Sequence, residues 1–143
     1  MLAVALRFVL NGARDMRFYT CPLRNTFRSN AKKFNDPDHP EKMFLKLAHM
    51  TAAMKKIEPY LLSDTDMREI KIKKGRDVDI QAGLFQSDNG KHMLIIMGTN
   101  AEGEIEIPGV DNLKSEYGHT VNLGGGKYRF TAAGLGCDIL QQP

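Results

Sequence analysis

PEKMFLKLAHMTAAMKKIEPYLLS, residues 40–63, is the stretch on which the fold turns. Met43, Leu47, Met50, Met54 and Ile57 recur at spacings of three and four, which gathers them on one side of an α-helix. Asp38 or His39 suits the N-cap, Pro40 the first turn, and Glu41 the positive end of the helix dipole. Pro59 pushes Glu58 away from helical geometry and sets the expected end there. Such a helix runs roughly 28 Å at a rise of about 1.5 Å per residue. It carries more apolar surface than it can cover alone, so a second layer must pack on it.

Before it, residues 2–10 (LAVALRFVL) predict a short helix closed by Asn11-Gly12. Residues 16–21 (MRFYTC) predict a strand ended by Pro22, and a polar, irregular stretch over 23–39 leads into the long helix. Helix, strand, loop, helix is a piece of an α/β repeat.

After Ser63 the pattern changes to short strands punctuated by Gly and Asn. Residues 67–73 predict a strand and 74–77 a turn. Over 78–86, Val78, Ile80, Ala82 and Leu84 alternate onto one face. Asn89-Gly90 is a strong hairpin signal and predicts a type I′ turn with both residues at positive φ. Residues 93–97 are apolar throughout, as in a central strand covered on both faces. Further strands are expected at 103–107, 120–123 and 128–132, and a last one where Leu135, Cys137 and Ile139 alternate. Strands in this number with regular turns predict an antiparallel β-sandwich.

The chain has 143 residues, 42% hydrophobic and 26% charged, within the range of ordinary globular domains. No apolar run reaches the roughly 18 residues of a membrane span. MLAVALRFVL, interrupted by Arg7 and without a basic lead, reads as a buried helix in preference to a signal peptide. Residues 1–60 hold 11 Lys/Arg against 5 Asp/Glu, a net of +6, and residues 61–143 hold 9 against 12, a net of −3. The basic residues are scattered with no stripe or interleaved aromatics, which argues against nucleic acid.

Chemistry is sparse. His39, His49, His92 and His119 show no metal-ligand spacing, and no cofactor motif occurs. Cys21 and Cys137 form no CxxC pair; buried free thiols and a disulfide between them both stay open. Glu102, Glu104 and Glu106 share one strand face, which reads as a solvated edge strand resisting aggregation before it reads as a cation site. Gly124-Gly125-Gly126-Lys127 lacks phosphate-loop spacing and reads as a turn. A sugar-binding sandwich needs two or three exposed aromatics. There is no Trp, and residues 64–143 offer only Phe85, Tyr117, Tyr128 and Phe130, of which Tyr128 and Phe130 alternate toward the core.

GARDMRFYT, residues 12–20, resembles the segment leading into the last barrel strand of many (β/α)₈ glycoside hydrolases. MTAAMKKIEPYLLS, residues 50–63, is similar to the end of their final helix, and the strands that follow are similar in order to their C-terminal β-sandwich. Asp15 stands where that family often has Gly. The family's acid and nucleophile are carboxylates on earlier barrel strands, which have no counterpart here; a whole barrel takes about 200 residues or more. The resemblance implies an α+β chain. Residues 1–63 would be a helix-strand-helix remnant of a (β/α)₈ barrel, and residues 64–143 an antiparallel β-sandwich. It also implies a non-catalytic C-terminal module that braces the barrel, with a carbohydrate-binding module as the alternative. By the same resemblance Tyr19 falls where such barrels place a sugar-stacking aromatic, while a tyrosine packed under the long helix stays open. A barrel strand without neighbours leaves two free edges and apolar surface, so residues 1–60 are expected to form a homo-oligomer.

Overall fold

The computed structural model describes residues 1–14, 38–75 and 80–143. The expected strand over 16–21, Tyr19, Cys21 and residues 76–77 of the expected turn lie outside the described residues, while Lys74 and Gly75 belong to a strand. The architecture is α+β and mostly sheet: helices α1 (Leu2–Leu10) and α2 (His39–Leu61), then strands β1 (Arg68–Glu69), β2 (Ile72–Gly75), β3 (Gln81–Gln86), β4 (His92–Glu106), β5 (Lys114–Ser115), β6 (Thr120–Gly124) and β7 (Lys127–Gln141).

Helix α1 ends as its sequence predicts. Gly12, at φ +91°, lets its N–H reach Val9 O at 3.0 Å while Ala13 N–H reaches Phe8 O at 2.9 Å. These two bonds are the Schellman pattern that satisfies the last carbonyls of a helix. Asn11 Nδ2 adds a bond to Arg7 O at 2.7 Å.

Helix α2 differs from its expectation in two ways. It runs through Pro59 to Leu61, so Pro59 does not end it. The missing N–H removes one helical bond, but Tyr60 and Leu61 beyond it are buried, and Leu62 N–H still reaches Glu58 O at 3.0 Å. The stripe is also buried only at its C-terminal half, through Met50, Ala53, Ile57, Tyr60 and Leu61. Met43 and Leu47 are half-buried, and Phe44 and Leu45 are exposed. Leu47 is therefore not the core residue that periodicity suggests.

All strand pairs are antiparallel. The order is β1-β3-β4-β7-β5, with β2 also pairing β4 and β6 also pairing β7. What the sequence divides into separate strands at 93–97 and 103–107 is one strand of 15 residues, β4; its partner β7 is equally long and pairs along it from Met93↔Gln141 to Glu106↔Lys127. Conversely, the expected strand over 67–73 is split in two. β1 joins β3 beside the first half of β4, and β2 joins the second half of β4, so the chain crosses from one half of the sheet to the other between them.

The crossing is needed because the sheet bends in the middle. Gly98 and Gly136 face each other there in register. A Cβ on Gly98 would stand 2.8 Å from Ala101 Cβ, and one on Gly136 2.5 Å from Ala132 Cβ, so no side chain fits inside the corner. Next to them the register slips, Asn100 takes φ +49° and Gly134 φ +76°, and Gly134 N–H donates to Asn100 Oδ1 at 2.7 Å. This is a bulge of the kind that turns a sheet through a corner. Across it, the inward residues of β4 change from even-numbered (Leu94, Ile96) to odd-numbered (Ala101, Ile105).

One core fills the concave side, with Ala82, Leu84, Leu94 and Ile96 from one half and Ala101, Ile105, Tyr128 and Phe130 from the other. Folded over in this way, the sheet is compatible with the expected sandwich. A second core lies on the convex side of the first half. There Leu6 and Val9 of α1 and Ala53, Ile57, Tyr60 and Leu61 of α2 meet Phe85, Met93, Ile95 and Ile139. Residues 93–97 are thus apolar throughout because both faces of that segment are covered, as the sequence implied.

The turns exchange roles. Asn89 is not at positive φ; among non-glycine described residues only Asn100 is. Gly90 N–H bonds to Ser87 O at 2.8 Å and Ser87 N–H to Lys91 O at 2.9 Å, so Asp88, Asn89 and Gly90 form a three-residue loop with Gly90 alone left-handed. Asn89 Oδ1 accepts from Ser87 Oγ at 2.5 Å, which holds the loop in this form. The two-residue hairpin with both φ positive is instead Gly125-Gly126, between paired Gly124 and Lys127.

Candidate functional site

The acidic row of β4 is not on an edge. β4 is paired on both sides over this stretch, by β2 and by β7, and two of the three carboxylates are matched by cations on those neighbours. Glu106 pairs with Lys73, whose hydrogen bond and charge hold the carboxyl below its usual range. Glu104 accepts from Arg129 at 2.7 Å, directly across the ladder, and this bond raises the arginine pKa. A row in which two of three carboxylates are held by cross-strand cations is a solvated, charge-stitched face. Among the described residues no group of three or more His, Cys, Asp or Glu is placed to hold a metal.

The aromatics do not form a sugar platform. Phe85, Tyr128 and Phe130 are all buried, the last two without accessible surface. Tyr128 is used internally: its hydroxyl donates to Val110 O at 2.8 Å and accepts from Leu113 N–H at 3.3 Å, which ties residues 107–113 across the mouth of the concave core. The remaining aromatic, Tyr117, is half-buried under α2, with the His49 ring edge-on to it at 5.7 Å. Its hydroxyl is buried without a hydrogen-bond partner. Desolvation, helped by Glu116, Cys137 and Asp138, pushes this phenol up to about 12. Cys137 beside it is a half-buried free thiol, raised by burial and by Asp138. Neither group is poised as a nucleophile or base.

The segment before β6 is pinned by a residue that the sequence reading missed. Asp138 is fully buried on the concave side of β7. Its Oδ1 accepts from Tyr117 N–H at 3.0 Å and Ile139 N–H at 2.9 Å, and its Oδ2 from Ser115 Oγ at 2.6 Å. Ser115 Oγ in turn accepts from Gly118 N–H at 2.7 Å. The sequence showed it only as a carboxylate flanked by Cys137 and Ile139 in the last strand.

Among the described residues, the helical layer holds two apolar clefts. Between α1 and α2 lies a cleft of about 420 Å³ lined by Val9, Met50, Met54, Leu61, Arg14 and Glu58. Arg14 Nη1 donates to Leu61 O at 2.5 Å on its wall. A second groove, of about 380 Å³, lies where α1 crosses the bend of the sheet. Val4, Phe8, Met97 and Leu135 line it beside Arg7 and Asn11. Val4, Phe8 and Leu135 are 54%, 56% and 55% exposed. The sequence held this in the form of a nine-residue helix apolar on all sides except Arg7, which a single sheet face cannot cover. Comparison with family models, with curated proteins and with solved structures finds no match to the chain.

Proposed function

We propose that this chain is a non-catalytic C-terminal module of a (β/α)₈ glycoside hydrolase, bracing the barrel through its helical layer. The reading rests on the resemblance of residues 12–20 and 50–63 to the last strand and helix of such barrels. The observation that carries it is the convex core: Leu6 and Ile57, without accessible surface, sit in one cluster with Met93, Ile95 and Ile139. A helix layer fused to a sheet by a shared apolar core moves with it as one body, as a brace requires. The exposed apolar residues of the helices, Val4, Phe8, Phe44 and Leu45, are where the barrel would lie in this reading.

The carbohydrate-binding alternative is disfavoured by the burial of Phe85, Tyr128 and Phe130, which leaves only Tyr117 of the candidate aromatics within reach of solvent. One experiment separates the two. The purified chain is assayed on a panel of aryl glycosides and titrated by calorimetry with soluble oligosaccharides. The brace predicts neither turnover nor heat; turnover that survives stringent purification overturns it, and sub-millimolar sugar binding transfers the assignment to the alternative. We further propose that the isolated chain pairs with a second copy through residues 1–60.

A further inference from the structure

We draw no further inference here: the strongest candidate, the apolar groove where α1 crosses the bend between β4 and β7, lined by Val4, Phe8, Met97 and Leu135, is an unpartnered face, and nothing in the structure shows what covers it.

Discussion

Ser115 Oγ donates a 2.6 Å hydrogen bond to Oδ2 of the fully buried Asp138, and this contact fastens the segment that leads into β6 to the C-terminal half of β7. The carboxylate also takes the N–H groups of Tyr117 and Ile139. Removing it strands three donors at once, the buried Ile139 N–H and the half-buried groups of Ser115 and Tyr117. Asp138→Ala is expected to cost about 2–4 kcal/mol, since each unsatisfied buried group carries a desolvation penalty of about 1–3 kcal/mol. Asp138→Asn keeps one acceptor oxygen and should lose less. Denaturant melts of the two variants check the order; equal losses would show that volume, not acceptor capacity, is what the site needs.

The burial of α2 gives a paired test. Ile57 is 0% exposed within the convex core, whereas Leu47 is half-buried. Ile57→Ala should therefore cost about 2–5 kcal/mol, and Leu47→Ala less than about 1.5 kcal/mol. A reversal of this order would place the packed stripe in the N-terminal half of the helix.

That contrast marks what the sequence could convey. Periodicity identified α2 and its apolar side but could not tell which half meets a partner, because that depends on where α1 and β3 pass beneath it. Pro59 was read by its local preference and overruled by the burial of Tyr60 and Leu61. The strands at 93–97 and 103–107 were each legible, yet their union into β4 was not. Gly98 and Asn100 look like a break in one dimension and become a corner only when Gly136 and Gly134 are found opposite. Asp138 drew no reading from the sequence, because its partners Ser115 and Tyr117 come from elsewhere along the chain. Tyr19, named as the candidate sugar-stacking residue, lies outside the described residues.

The hairpin after β3 separates two turn types by mutation. Gly90 has φ +79° and Asn89 does not share the left-handed region. Gly90→Val forces a β-branched residue into it and should destabilise by roughly 1–2 kcal/mol. Asn89→Ala loses only the side-chain contact with Ser87 and Lys91 and should cost well below that. Comparable strain at both positions in thermal melts would restore the type I′ turn.

Alkaline pH probes the packing of α2 on Tyr117. The folded phenol titrates near 12, against about 10 in an unfolded chain. Below pH 10 both states keep the proton and the contribution to stability is complete. Between about 10 and 12 the unfolded chain releases its proton first, so this contribution falls as pH rises. Burial raises Tyr60 and Tyr128 in the same direction and adds to the slope. Stability measured across this range should fall less steeply in Tyr117→Phe than in the parent. A slope that Tyr117→Phe leaves unchanged would mean that the phenol is solvated and the loop at 116–118 stands away from the helix.

The last expectation is self-association of the isolated chain. Val4 and Phe8 stand side by side on α1, four residues apart, and Leu135 continues the same surface at the bend of the sheet. Elsewhere among the described residues, Val121 and Leu123 of β6 are also exposed, beside Arg129 in the second half of the sheet. β1 and β5 are two-residue strands, short enough to blunt the edges they form. The outer face of the second half is stitched by Lys73–Glu106 and Arg129–Glu104. Apolar area exposed on one side is what association removes from water. Light scattering should accordingly report a dimer or larger assembly of the 16.0 kDa chain at micromolar concentration. Phe8→Lys, which places a charge on the exposed ridge and leaves Leu6 and Val9 in the core, should shift it toward monomer without lowering the melt. A parent chain that is monomeric throughout defeats the proposal, and an assembly indifferent to Phe8→Lys moves the contact away from α1.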